Sequence, residues 1–139
     1  GASEITNRTV METAADGRHV IATDSIAFGT DADIDTNVLV TAGHTGRSAV
    51  EYLLRCRPWG FICSDGGRGL DDSGILGLSI VEADGMAGAT VDARLARMGN
   101  GLSHHHDGII SAFKGPARDR GVALGMPAAE AASLLLVKD

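Results

Sequence analysis

The residues of this chain best suited to chemistry lie in a glycine-rich loop at positions 65–72. Three glycines fall among four residues there, at 66, 67 and 69. Asp65 comes just after an apolar segment, where a carboxylate can serve as a catalytic base at the mouth of a strand. The alternative is that Asp65 forms a turn and Asp72 caps a helix. The predicted substrate contacts of this loop are Gly66, Gly67, Arg68 and Asp72.

An earlier loop, predicted at positions 43–48, joins an apolar segment to a helical pattern. Its two glycines allow close approach of a ligand, and the helix N-terminus behind it favours a carboxylate or a phosphate. Turn formation and simple helix capping explain the same residues equally well. The Gly-Lys-Ser/Thr ending of a nucleotide-binding loop is missing. The predicted ligand-contacting positions are His44, Thr45, Arg47 and Ser48.

A third group begins at Asp92, which ends another apolar segment. Arg94 and Arg97 follow it and could anchor an anionic substrate. The next feature is a run of three histidines, in which His105 is the predicted acid or base near neutral pH. If the run is an extended loop, His104 and His106 share a side and form part of a metal site that Asp65 or Asp92 completes. Otherwise the run is a solvated loop, and no cofactor is predicted.

Two weaker patterns are interpreted as structural. Asp31-x-Asp33-x-Asp35 begins like a calcium loop, but Thr36 replaces the required glycine, so a solvated acidic turn is predicted. Cys63 lies inside an apolar segment and is predicted to be a buried core thiol rather than a nucleophile. Both cysteines are expected to be free.

Composition narrows the class of protein. The chain has 139 residues, 44% of them hydrophobic and only 4% aromatic, which indicates a single α/β domain over residues 1–139. A net charge of −6 argues against a nucleic-acid partner. No apolar run approaches the roughly 20 residues needed to span a membrane, and no leader is apparent, so a cytoplasmic location is expected.

Local patterns predict an N-terminal hairpin followed by strand–helix units around a mainly parallel sheet. Right-handed crossovers would then place both glycine loops at one edge of that sheet. The predicted strands are 9–13, 18–23, 25–28, 38–41 and 87–91, with an apolar strand before Asp65. The predicted helices are 48–55, one from residue 71 to the stop at Gly85, 107–120 and 127–137.

Three stretches of the sequence resemble an uncharacterised family of small bacterial proteins. They are Asp65 through Ile75, the arginine-glycine pattern from Ala93 to Gly101, and Asp107-Gly108-x-Ile110-Ser111. The resemblance spans about two thirds of the chain from Val38 onward and implies no particular activity. The histidine run departs from the family pattern, which has a shorter polar stretch at that place.

Residues 38–91 are also similar in layout to swivelling β/β/α domains, including the small subunits of aconitase-like dehydratases. In those domains a strand, a Gly/Ser-rich loop and a helix form part of a carboxylate site that a larger partner closes. The resemblance implies that Ser48 handles a proton and that Arg47 grips the substrate carboxylate. The adjacent serines typical of such loops are absent here.

Together these patterns predict an enzyme of the lyase, dehydratase or isomerase type acting on a small anionic metabolite. The predicted catalytic residues are Asp65, Asp92, His105 and Ser48, and a hydrolase of a small amide or ester is the neighbouring interpretation. The alternative from another class is a non-catalytic binding or regulatory subunit of a larger assembly. A homo-oligomer is expected, because small domains of this kind often build sites across symmetric interfaces.

Overall fold

A single six-stranded sheet organises the part of the chain that the computed structural model describes, residues 8–26, 29–44, 47–65, 76–92 and 100–137. The strands pair in their order along the chain. The inner four are mutually parallel, and an antiparallel strand closes each edge. The strands are β1 (Arg8–Thr13), β2 (His19–Thr23), β3 (Val38–His44), β4 (Gly60–Ser64), β5 (Ala87–Val91) and β6 (Ile110–Phe113).

Helices cover both faces of the sheet. Each connection between two parallel strands leads to the next strand in the same direction across the sheet. Right-handed crossovers therefore place the helices of these connections on one face. The other face is left for the helices that follow β5. The first face carries a 3-10 helix (Asp31–Asp33), α1 (Arg47–Cys56) and α2 (Leu76–Ala83). The second carries α3 (Gly101–Asp107), α4 (Gly115–Asp119) and α5 (Ala128–Leu136).

The central strand β4 shows how the sequence builds two cores. All five of its residues are buried, as expected for a strand covered on both sides. Phe61 and Cys63 join the core under α1 and α2, whereas Ile62 joins the core under α5. Gly88 of β5 makes room for the aromatic ring, since a Cβ there would lie 2.1 Å from Phe61 Cζ.

Most predicted elements are confirmed. The chain forms an α/β domain with a mainly parallel sheet, and the N-terminal hairpin turns at Gly17, whose φ of 90° suits glycine. Helix α2 ends before Gly85, which has a φ of 82° as a helix-stopping glycine should. In the described residues, no helix combines the length and apolarity needed to cross a membrane.

Two predicted elements are wrong. The helix expected over residues 107–120 is replaced by strand β6 and by α4, which has Pro116 in its first turn. One continuous helix does not form for two reasons. Residues of β6 pair with β5, and Pro116 is tolerated in the first turn of a helix but not in its interior. The strand expected from residue 25 is not formed at Ser25 and Ile26, where Thr23 Oγ1 donates to the Ser25 carbonyl at 2.9 Å. Phe28 lies outside the described residues.

The turn that contains Asp31, Asp33 and Asp35 was predicted to be solvated, and the prediction is wrong for Asp33. Asp31 and Asp35 are exposed, but Asp33 is fully buried. Its two carboxylate oxygens accept hydrogen bonds from both terminal nitrogens of Arg8, at 2.9 and 3.0 Å. The Asn37 side chain and the Thr30 backbone N–H donate to the same carboxylate at 2.8 and 2.7 Å. Asp33 therefore ties the edge strand β1 to the connection between β2 and β3.

Candidate functional site

The carboxyl ends of the four parallel strands meet at one edge of the sheet, which we call the carboxyl edge. Strands β2 to β5 end there at Thr23, His44, Ser64 and Val91. An aspartate immediately follows three of the four strands. These residues are Asp24, Asp65 and Asp92. In open α/β sheets, ligands bind in crevices outside this edge, so the predicted acids occupy the expected place for a site.

Asp65 and Asp92 are neighbours across the sheet. Ser64 pairs with Val91, and the Asp65 backbone N–H donates to the Val91 carbonyl at 2.9 Å. Because adjacent strands are separated by about 4.8 Å, the backbones of the two aspartates lie at comparable spacing. Asp65 is only 2% exposed, whereas Asp92 is half-buried. The structure thus places one buried and one half-buried aspartate at the ends of adjacent strands.

Helix α3 is anchored to the same edge by residues that were not predicted as functional. Its N-cap, Asn100, accepts a hydrogen bond from the Ser103 backbone N–H at 2.9 Å. The Gly101 N–H donates to Asp24 Oδ1 at 2.9 Å. A Cβ on Gly101 would lie 2.2 Å from the Thr23 carbonyl oxygen, so only glycine lets the helix begin this close to β2. The signal in the sequence was Asn100 ahead of a short helix, a common capping residue.

The histidine run lies on α3, so the prediction of an extended loop is wrong. Residues two apart on a helix point about 200° away from each other, which separates His104 from His106. His104 is 1% exposed and His106 is exposed. His104 and His106 therefore do not form the predicted metal site together. Among the residues that the structure describes, no group of three or more His, Cys, Asp or Glu side chains could hold a metal ion.

His104 is the oriented histidine of the run. Its Nδ1 lies 2.8 Å from the Asn100 carbonyl oxygen. A carbonyl only accepts, so Nδ1 carries a proton and donates it to this oxygen. Gly108 packs between the His104 carbonyl and Val91. A Cβ added at Gly108 would lie 2.3 Å from the His104 carbonyl oxygen and 2.9 Å from Val91 Cγ1. The His104 backbone is therefore close to the end of β5, next to Asp92.

His105, the predicted acid or base, lies in a different environment. It is 8% exposed, and its buried Nδ1 has no hydrogen-bond partner among the residues that the structure describes. Burial, followed by repulsion from His106, lowers the pKa of His105, while Glu12 on β1 opposes the shift. The ring is therefore neutral at neutral pH. Its 5.3 Å edge-on contact with His106 does not supply a proton acceptor.

The first predicted loop is largely regular structure. Strand β3 continues to His44, and α1 begins at Arg47 with Ser48 as its second residue. The prediction of a loop across positions 43–48 is therefore wrong, because the strand and the helix extend toward each other. Arg47 and Ser48 still belong to the first turn of a helix at the carboxyl edge, where its dipole favours an anion.

The remaining predicted contacts lie outside the described residues. They are Thr45, Gly66, Gly67, Arg68, Asp72, Arg94 and Arg97.

The two cysteines are both free, as predicted, and both are buried. Cys63 is fully buried and accepts a hydrogen bond from Thr41 Oγ1 at 3.4 Å, across the pair β3 and β4. Burial raises the pKa of the Cys56 thiol to about 11. A thiol with that pKa is protonated and unreactive at neutral pH. Cys63 belongs to the core, as its apolar context indicated.

No protein-family model, curated protein or solved structure matches this chain. Its function is therefore inferred from its own residues and their geometry.

Proposed function

We propose that this protein is an enzyme that moves protons on a small carboxylate metabolite, as a lyase, dehydratase or isomerase. The observation that supports this best is the pair of carboxyl groups at the carboxyl edge, of which Asp65 is 2% exposed and Asp92 is half-buried. In this proposal Asp65 removes a proton from the carbon next to the substrate carboxylate. Asp92 or His104 returns a proton to the developing product.

The chemistry follows from the different surroundings of the two acids. Asp65 is enclosed, whereas Asp92 is partly open to solvent. Proton transfer in two directions requires one group that accepts a proton and one that donates it, and these two acids are the proposed pair.

An anionic substrate beside two acids needs compensating positive charge. The first turn of α1 begins at Arg47 on the same edge, and helix N-termini attract carboxylates. Arg68, Arg94 and Arg97 are the further anchors we propose, since they follow the ends of β4 and β5 in the sequence. Ser48 in that first turn is the proposed hydroxyl partner of the substrate carboxylate.

Deuterium wash-in tests the proposal directly. The protein is incubated in D2O with a panel of small carboxylic acids, and loss of the α-proton signal is followed by proton NMR. We expect exchange with the wild type and a reduction of roughly 100- to 10,000-fold in Asp65→Asn. Asp92→Asn should lose activity too. Asp119→Asn, the same change at an exposed position on α4, is the matched control and should retain full activity.

Two outcomes contradict the proposal. If Asp65→Asn keeps the wild-type exchange rate and circular dichroism spectrum, Asp65 is not the base. If members of the panel bind in ligand-observed NMR but none exchanges or is converted, the non-catalytic binding subunit replaces the enzyme.

A further inference from the structure

A cavity lies at the opposite end of the sheet from the carboxyl edge. It has a volume of about 290 Å³ and is formed between the β1–β2 turn and the last turn of α5. Its apolar wall includes Ala14, Leu136 and Val137, and its polar wall includes Glu12, Arg18 and Ser133. Because β2 has five residues, the cavity and the carboxyl edge are about 15 Å apart. It is therefore separate from the proposed catalytic site.

The walls of this cavity are fixed by side-chain hydrogen bonds. Arg18 donates to the Thr36 carbonyl at 3.1 Å and to the Leu136 carbonyl, which ties the hairpin turn to the end of α5. Trp59 Nε1 donates to the Val137 carbonyl at 3.2 Å. These bonds hold both sides of the cavity in place before any ligand arrives, which reduces the entropy lost on binding.

The charges in the cavity are not balanced. Arg18 is paired with Asp16, at 2.7 Å between Nε and Oδ2. Glu12 accepts a hydrogen bond from Ser133 Oγ, a neutral group. Within the described segments, no lysine, arginine or histidine lies at ion-pair distance from Glu12. Among the described residues, this half-buried carboxylate of the cavity therefore has no cation at ion-pair distance.

We propose that this cavity is a binding site for a small organic cation, a primary ammonium group on a short apolar chain. The ammonium group would bind Glu12, and the chain would pack against Ala14, Leu136 and Val137. The volume is at the lower end for ligand pockets, which limits the ligand to metabolite size. Anions are disfavoured, because the described residues of the lining carry two carboxylates against one guanidinium. This site does not depend on the proposed catalytic function.

The experiment is a chemical-shift titration of the nitrogen-15-labelled protein with n-butylammonium chloride. We expect saturable shifts at the amides of Ala14, Ala15 and Leu136 with a Kd of about 1 mM or tighter, and none at the carboxyl edge. Glu12→Gln keeps the shape of the side chain and should weaken binding at least about tenfold. Glu130→Gln, the same change at an exposed position on α5, is the matched control and should bind like wild type.

A measurement on the wild type alone keeps the proposal testable if Glu12→Gln does not fold. 1-Butanol has the same chain without the charge, and butyrate has the opposite charge, so both should bind at least about tenfold more weakly than butylammonium. Equal binding of 1-butanol would show a merely apolar cavity and overturn the proposal. Unchanged affinity in folded Glu12→Gln, or no saturable shift around the cavity, would overturn it as well.

Discussion

Replacement of Asp33 by asparagine should be the most destabilising conservative change in the N-terminal third of the chain. Each carboxylate oxygen accepts two hydrogen bonds, Oδ1 from Arg8 and Asn37, and Oδ2 from Arg8 and the Thr30 N–H. An amide NH2 in either position would meet two donors instead. The Arg8 guanidinium would also lose the negative charge that Asp33 supplies.

The size of the loss in stability follows from the burial of the Arg8–Asp33 ion pair. Breaking a fully buried ion pair costs about 3–5 kcal/mol, but the Arg8 side chain is 27% exposed and keeps part of its hydration. We therefore expect Asp33→Asn to lower the free energy of unfolding by about 2–4 kcal/mol at neutral pH. Asp31→Asn, an exposed aspartate of the same 3-10 helix, is the control and should change stability by less than about 0.5 kcal/mol.

The effect should also depend on pH. Burial by itself would raise the pKa of Asp33, but hydrogen bonds from Arg8, Asn37 and Thr30 together hold that pKa below its usual value. A lowered folded-state pKa contributes stability that is fully present above about pH 3.9 and is lost as the pH falls through the folded value. The difference between wild type and Asp33→Asn should therefore shrink below about pH 4.

Urea unfolding followed by circular dichroism at several pH values measures both effects. A loss in Asp33→Asn no larger than in Asp31→Asn would refute the reasoning. A difference from wild type that stays constant below about pH 4 would show that the carboxylate charge is not responsible.

Two further predictions test other parts of the structure. Gly101→Ala should destabilise the protein by about 1–3 kcal/mol, because the new Cβ would meet the Thr23 backbone. A Cβ at Gly43 would meet no atom of the described residues within 4 Å, so Gly43→Ala should be nearly neutral. Equal thermal melts of the two variants would therefore contradict the packing of α3. His105→Asn should flatten the pH dependence of stability, since the lowered pKa of His105 makes the wild type lose stability as the pH falls below about 6.5. Urea unfolding at about pH 7 and about pH 5 checks this, and an unchanged slope would argue against a buried neutral ring.

Elements with a strong local pattern could be predicted from the sequence. The Asp16-Gly17 turn identifies the hairpin, and the alanine- and leucine-rich stretch after Pro127 identifies α5. Strand β6 could not be identified in this way. Its four residues, Ile110–Phe113, form a strand because β5 pairs with them, a partner that no local window contains.

The candidate site could be predicted only in part, because some of its contacts also join residues that are far apart in the sequence. Asp65 and Asp92 could be selected because each follows an apolar strand, and parallel pairing brings them together. The histidine run was assigned to a loop, since its residues favour helices only weakly. The helix forms because Asn100 caps it and Asp24 anchors it, 77 residues away in the sequence from Gly101. Asp33 was assigned to solvent because its partner Arg8 is 25 positions distant.

The strands lie in the sheet in the same order as in the chain, which affects how the protein folds during its synthesis on the ribosome. Strands β2 to β5 can pair as they emerge, but the helices that the structure describes on their second face all follow residue 100. Val20, Val40 and Ile62 on that face stay uncovered until α5 is made. Translating residues 101–136 takes roughly 2–7 s, which is long compared with collapse of the strands. We therefore expect nascent chains of this protein to be chaperone substrates, and chains that stop before α3 to aggregate.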